Sequence, residues 1–167
     1  QAAAGAVLAR ARELRADQSG LPPLLAVDGA DIKFEIVLEG RIELEQPNEA
    51  DRLCGVSTLT PLDMAAAKLL ANSDRWRDDS VFSRDLIDLA MMAPPKKLRE
   101  QALAKAAQAY GASVEADLVS AIQTLRDRPQ RLERCMRALQ MTLPAAQLWQ
   151  RIRALVPRAK KAPAAGA

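Results

Sequence analysis

The charged side chains best suited to chemistry lie in one stretch of this 167-residue chain, between residues 68 and 92. Lys68 stands among alanines and leucines in the segment PLDMAAAKLLA, and two aspartates, Asp85 and Asp88, follow in SRDLIDLA. An ammonium group beside such carboxylates can neutralise phosphate charge, and the carboxylates can orient the lysine or a substrate hydroxyl. The alternative is that Lys68 lays its stem along apolar surface and sends its ammonium to water.

Helical periodicity places both aspartates on one face of a helix together with Arg84. Arg84 and Asp88 are four residues apart, so Arg84 either pairs with Asp88 or holds phosphate. The opposite face is apolar and is predicted to be buried: Phe82, Leu86, Leu89, Ala90 and Ala93. Apolar residues also flank the charged face, which indicates that this face looks into a cleft or another part of the protein: Ile87, Met91 and Met92.

A further candidate is the carboxylate of Glu35, in an alternating segment from Asp31 to Leu38 that predicts a strand. Glu35 and Lys33 share the face opposite the apolar residues of that strand. Mg²⁺ prefers carboxylate oxygens, so Glu35 is a candidate metal ligand for phosphoryl chemistry. The alternative is an ordinary Lys–Glu pair on a half-exposed sheet face.

The hydrophobic periodicity around these residues predicts an α+β fold, with a small, mostly antiparallel sheet followed by a C-terminal helical bundle. Strands are expected at 24–27, 31–38, 41–45 and 53–59, with 31–38 and 41–45 forming a hairpin. A helix begins at Pro61, because Thr60 can cap it and Asp63 lies near its positive end. Further helices are expected at 2–16, 82–93, 96–110, 113–128, 129–141 and from 144 onward.

This pattern predicts three regions: a partial α/β core at 1–93, a helical domain at 94–156 and a disordered basic tail at 157–167. The chain has no histidine, which excludes Ser-His-Asp and Cys-His catalysis. Its two cysteines form no zinc set and favour a reducing, cytoplasmic setting. No apolar run reaches the length of about 20 residues that a membrane span needs, so no membrane association is expected.

Five arginines between residues 126 and 137 form a basic run in the helical half of the chain. RNA binding is one interpretation of this run, and a solvated face balanced by Asp127 and Glu133 is the other. The net charge of +3 is too small to indicate a nucleic-acid partner by itself.

Three segments in order, IKFEIV, TPLDMAAAKLLA and DRWRDDSVFSRDLIDLA, resemble the nucleotidyltransferase AbiEii/AbiGii toxin family. Its members are the toxin halves of abortive-infection, type IV toxin–antitoxin systems. The resemblance covers roughly Ile32 to Met92. It implies a set of catalytic residues, Glu35, Lys68 and Asp85, a set of phosphate-binding residues, Lys33, Arg84 and Asp88, and Glu35 as a ligand of Mg²⁺.

The resemblance further implies a polymerase-β-like nucleotidyltransferase that binds an NTP with Mg²⁺ and moves a nucleotidyl group to an acceptor such as tRNA or a protein. It also implies an antitoxin partner. The family's first motif, a Gly-Ser turn before a strand with Asp-x-Asp, is missing here, because residues 28–31 have the wrong spacing. We expect that motif before Gln1 and expect this chain alone to be inactive. The alternative function is a non-catalytic helical module that binds an antitoxin or RNA.

Overall fold

The computed structural model describes residues 24–27, 30–33, 39–53 and 56–157. Within these residues the chain is α+β, as predicted, with six α-helices and two pairs of short antiparallel strands. It forms two compact units, residues 1–58 and residues 59–167. The predicted helix at 2–16 and the tail from residue 158 fall among the residues that are not described, and the predicted boundary after residue 93 stays a prediction.

The first unit holds the strands. Strand β1, Leu24–Val27, confirms the strand predicted there and pairs antiparallel with β2, Ala30–Lys33, so that Val27 lies opposite Ala30. Strands β3, Arg52–Leu53, and β4, Val56–Ser57, form the second antiparallel pair. The strand predicted at 31–38 is therefore observed as far as residue 33, where the description of β2 ends.

The predicted strand at 41–45, and with it the predicted hairpin, is wrong, because this segment is irregular. The Glu39 carboxylate accepts hydrogen bonds from the backbone N–H of Arg41 at 2.8 Å and from its Nε at 3.0 Å. This local contact uses the N–H group that a strand ladder would need.

The strand predicted at 53–59 is also wrong as a single element, because the chain folds back within it and pairs Leu53 with Val56. A short 3-10 helix, Glu49–Asp51, precedes the fold-back and is capped by Asn48, whose Oδ1 accepts from the N–H of Ala50 at 2.8 Å. The backbone N–H and the hydroxyl of Thr58 both donate to the carbonyl oxygen of Asp51 at 2.7 Å, which closes this small loop.

The second unit is a bundle of six helices: α1 Pro61–Arg75, α2 Arg84–Met92, α3 Lys96–Tyr110, α4 Ser113–Asp127, α5 Pro129–Ala138 and α6 Ala145–Ala154. Helix α1 packs against α2, α3 and α4, while α6 packs against α2 and α5 packs against α4 and α6. Burial of apolar side chains holds the bundle together. Among the largest side chains with almost no exposure are Leu69, Leu70, Leu86, Ile87, Leu89, Leu118, Leu125, Leu148 and Ile152.

Two of the predicted helix boundaries follow from local signals that the structure confirms. Helix α1 begins with Pro61, and the Thr60 hydroxyl accepts a hydrogen bond from the N–H of Asp63 at 3.2 Å. Helix α3 ends at Gly111, whose φ of +65° favours glycine. Helix α5 stops at Ala138 instead of continuing to the predicted Met141, because Gln140 takes a positive φ of 52°.

The predicted inward faces of the later helices are buried. In α4 they are Val114, Leu118, Ala121, Ile122 and Leu125, and around α6 they are Leu148, Ile152 and Leu155. No helix in the described part of the chain is both long and apolar enough to cross a membrane.

Helix α2 is more enclosed than its apolar stripe predicts. Leu86, Leu89 and Ala90 are buried as predicted, and Ile87, predicted to flank the charged face, is also buried. The prediction is wrong for Ala93, which is exposed, and Phe82 is only half-buried, because both residues lie outside the helix. Phe82 and Ser83 precede the helix with φ values of 52° and 51°, a left-handed conformation that costs of order 1 kcal/mol for each non-glycine residue. The surrounding contacts of α2 with α1, α4 and α6 must offset this cost.

Substitution Thr60→Ala should lower the free energy of unfolding by about 1 kcal/mol, because α1 loses its capping hydroxyl. Urea denaturation measures the change. Thr60→Ser, which keeps the hydroxyl, is the matched control and should stay near wild type; equal losses in both variants would show that the cap does not stabilise α1.

Candidate functional site

The lysine and the two aspartates singled out in the sequence come together between α1 and α2. Lys68 Nζ lies 2.5 Å from Asp88 Oδ2 and 3.5 Å from Asp85 Oδ1. Asp85 and Asp88 lie three residues apart on α2, so they present their carboxylates on the same side of that helix. The structure thus forms the lysine–carboxylate cluster that the helical spacing of these residues indicated, although their chemical roles stay predictions.

Asp85 has a second and stronger partner in Arg75. The guanidinium donates from Nε to Asp85 Oδ2 at 2.7 Å and from Nη2 to Oδ1 at 3.0 Å, a two-point contact that fixes the plane of the carboxylate. Arg75 was not among the predicted site residues. Its spacing carried a signal, because it follows Lys68 by seven residues, close to two helical turns, and therefore lies on the same face of α1.

The ionisation of Asp85 depends on these two cations. Burial acts to raise the pKa of Asp85, whose side chain is only 3% exposed, but the hydrogen bonds and positive charges of Arg75 and Lys68 outweigh it and hold that pKa below its ordinary value. The hydrogen bond to Asp85 in turn raises the pKa of Arg75. Asp85 is therefore a buried carboxylate that stays charged, and two cations face two anions in the cluster.

Arg84 does not pair with Asp88, contrary to the expectation from their spacing. Asp88 forms an ion pair with Lys68 of α1 instead. Arg84 is exposed at the start of α2, and no ion pair or hydrogen bond of its side chain is found in the described part of the chain. Its guanidinium is therefore available to a ligand.

The predicted site residues of the sheet belong to the other compact unit. Lys33 ends β2, where only the strand itself is described, and Glu35 falls among the residues that are not described. Their predicted roles in phosphate and metal binding stay predictions.

The described residues do not form a site that fits Mg²⁺. Among them, no group of three or more Cys, Asp or Glu side chains converges. Both oxygens of Asp85 contact cationic side chains, and Asp88 contacts Lys68. A metal ion at either carboxylate would meet these positive charges at close range, so neither aspartate is suited to hold it.

A groove of about 680 Å³ lies elsewhere in the helical unit, between α3 and α4. Its lining includes Leu103, Ala107 and Val114 and none of the residues of the Lys68 cluster. This groove is therefore separate from the Lys68 cluster.

Comparison with known proteins assigns the chain to a family. The model of the nucleotidyl transferase AbiEii toxin family, of type IV toxin–antitoxin systems, matches residues 9–165. The chain belongs to this family. Membership confirms the resemblance seen in the three sequence segments, and the match extends it through the helical half. No curated protein and no solved structure matches the chain.

The AbiEii family is one of nucleotidyltransferase toxins, so membership implies an antitoxin partner and a nucleotide substrate in general terms. The Lys68 cluster is the part of the described chain in which buried charge, two-point hydrogen bonding and an accessible ammonium occur together. These are features that a site for a charged substrate needs.

Substitution Asp85→Asn should lower the free energy of unfolding by about 1–3 kcal/mol at neutral pH, because Arg75 and Lys68 lose a charged partner. The pKa of Asp85 is depressed in the folded state, so its stabilisation is present above the ordinary value of 3.8 and is lost as pH falls through that value toward the lower folded pKa. The difference between wild type and variant should therefore shrink in acid.

Urea denaturation of both proteins across this pH range measures the effect. Asp117→Asn is the matched control, since the Asp117 carboxylate accepts from the uncharged indole N–H of Trp76 at 2.9 Å and its loss should cost less. A difference for Asp85→Asn that is constant from neutral to acid pH would contradict the assigned ionisation.

Proposed function

We propose that this chain forms the phosphate-handling part of a nucleotidyltransferase that moves a nucleotidyl group from an NTP to an RNA or protein acceptor. The position of Lys68 is the observation that best supports this proposal. Its ammonium lies between Asp85 and Asp88, where α1 packs against α2. Membership of a nucleotidyl transferase toxin family supports this reaction class.

The geometry suits Lys68 to contact a phosphate oxygen. A lysine ammonium has three donors, and two of them face Asp85 and Asp88, which leaves one for a ligand. The lysine side chain is 30% exposed, so a ligand can reach it from solvent. Because the carboxylates already order the long side chain, binding loses less conformational entropy than it would with a freely rotating lysine.

The other residues divide into positioning and binding roles. Arg75 holds the Asp85 carboxylate in place, and that carboxylate orients Lys68. Asp88 contacts the Lys68 ammonium from the more exposed side. Arg84, exposed and unpaired in the described part of the chain, is the second cation that a triphosphate would meet. Arginine suits this role because its guanidinium binds phosphate at two points.

The proposed metal is Mg²⁺, with Glu35 as one of its ligands and Lys33 as a phosphate-binding residue, as the family resemblance implies. Asp85 and Asp88 are unsuitable as ligands of the metal, because cationic side chains already contact both carboxylates. Mg²⁺ would neutralise phosphate charge and orient the reacting oxygens when bound. We place the protein in the cytoplasm, a reducing setting that suits Cys135, a free, buried thiol.

A second candidate function is a non-catalytic module that binds an antitoxin or RNA. The charge balance of the Lys68 cluster favours it, because two cations and two anions that satisfy one another also stabilise helix packing without a ligand. Nucleotide binding separates the two functions.

Substitution Lys68→Ala should weaken NTP binding by about tenfold or more, because the phosphates lose a charge-assisted hydrogen bond. Isothermal titration calorimetry with each NTP measures the change. Lys97→Ala is the matched control, since Lys97 is an exposed lysine of α3 without an ion pair in the described residues, and it should leave affinity within about twofold.

Equal, weak affinity of wild type and Lys68→Ala would overturn the phosphate role and favour the interaction module. Lys68→Arg keeps the positive charge and should retain more binding than Lys68→Ala. Thermal melting of all variants shows whether a loss of binding reflects a loss of fold.

A further inference from the structure

A separate ionic cluster joins the loop between α1 and α2 to helix α5. Asp79 begins a short 3-10 helix, Asp79–Val81, in that loop. Its Oδ1 contacts Nη1 of Arg131, and its Oδ2 lies 3.2 Å from Nη2 of Arg134. The Asp79 and Arg134 side chains are 59% and 52% exposed, whereas Arg131 is only 7% exposed.

The contact with Asp79 leaves Arg131 incompletely satisfied. The Nε of Arg131 is buried and has no hydrogen-bond partner among the described residues, although a guanidinium carries five donors in a fixed fork. A buried charged donor without a partner is costly, and such groups are rare in folded proteins. An anion with more oxygens than a carboxylate would satisfy this guanidinium better.

Helix α5, which holds both arginine partners of Asp79, carries a surplus of positive charge. Helix α5 and the residue before it hold four arginines, Arg128, Arg131, Arg134 and Arg137, against a single acid, Glu133. Asp79 brings the number of acids to two, so two positive charges stay unbalanced. Arg128 and Arg137 are exposed and have no ion pair among the described residues.

The dipole of helix α5 adds to the positive electrostatic potential of these arginines. The first turn of α5 holds no acidic residue, so the positive end of the helix dipole reinforces the arginines instead of being balanced. The surplus of positive charge is confined to the C-terminal part of the chain. Residues 126–167 hold ten Lys and Arg and two Asp and Glu, whereas residues 1–125 hold 14 Lys and Arg and 19 Asp and Glu. A concentrated basic region of this kind attracts phosphate groups.

We propose that Arg131 and Arg134 form a phosphate-binding site that is distinct from the Lys68 cluster. In the absence of a ligand, the Asp79 carboxylate occupies this site. The exposed Asp79–Arg134 pair is of the kind that contributes little stability, so a ligand can displace it. A phosphate group has enough oxygens to accept from Nε and Nη of Arg131 together and from Arg134. Its charge also matches the two unbalanced arginines.

The ligand chemistry is a phosphate group, supplied either by an RNA backbone or by free phosphate. Binding is measured by calorimetry with inorganic phosphate and by fluorescence anisotropy with a labelled oligouridylate of roughly ten nucleotides. Asp79→Asn removes the competing charge with almost no change of shape. Arg134→Gln removes an exposed ligand of the site. Arg153→Gln is the matched control, because Arg153 is an exposed arginine of α6 that forms no ion pair with the described residues.

The site predicts that Asp79→Asn tightens phosphate binding by about threefold or more, Arg134→Gln weakens it by a similar factor, and Arg153→Gln leaves it within about twofold. If phosphate competes with the oligouridylate, the site exists and its ligand is the phosphate of an RNA backbone. If phosphate binds saturably without competing, the site exists and its ligand is free phosphate. Equal effects of the three variants, or no saturable binding of phosphate, would overturn it. Unchanged melting temperatures of Asp79→Asn and Arg134→Gln exclude unfolding as the cause.

Discussion

The buried negative charge of Asp85 is the constraint on which the arrangement of α1 and α2 depends. A carboxylate that is 3% exposed stays ionised only if cations replace the water it has lost. Arg75 and Lys68 supply those cations, and both lie on one face of α1. The two-point contact with Arg75 sets the register between the helices, and the same register brings Lys68 to Asp88.

Ionic and polar contacts also tie α1 to its other neighbours. Asp63, which is fully buried, pairs with Lys105 of α3, and the indole of Trp76 donates to Asp117 of α4. Near the end of α3, the Tyr110 hydroxyl donates to Asp74 at 2.7 Å. Apolar burial supplies most of the stability of such a bundle, while buried ion pairs mainly restrict the ways in which its helices can pack. We infer that this restriction keeps Lys68 in place.

Local signals in the sequence were sufficient to predict the six described helices between residues 61 and 154. A threonine cap, prolines at first positions and Gly111 at a left-handed stop act within a few residues, so their effects can be inferred without a fold. The inward face of α4 was predictable for the same reason, because burial repeats with the helical period. The gathering of Lys68 with Asp85 and Asp88 followed from two such faces.

Contacts that depend on competition between partners could not be predicted in this way. The side chain of Glu39 takes the N–H of Arg41 and prevents a strand that alternation favoured. Asp88 had two possible cations, and only the packing of α2 on α1 decides for Lys68 over Arg84. The left-handed conformation of Phe82 lacks any glycine or asparagine signal, because tertiary contacts impose it.

We infer that Asp88 acts on a bound nucleotide through Lys68, and a double-mutant cycle on NTP affinity measures this coupling. The four proteins are wild type, Asp88→Asn, Lys68→Met and the double variant, compared by calorimetry under one salt condition. Asp88→Asn should change NTP affinity when Lys68 is present and have no effect in the Lys68→Met background, with a coupling of about 1 kcal/mol or more. Strictly additive effects of the two substitutions would contradict it.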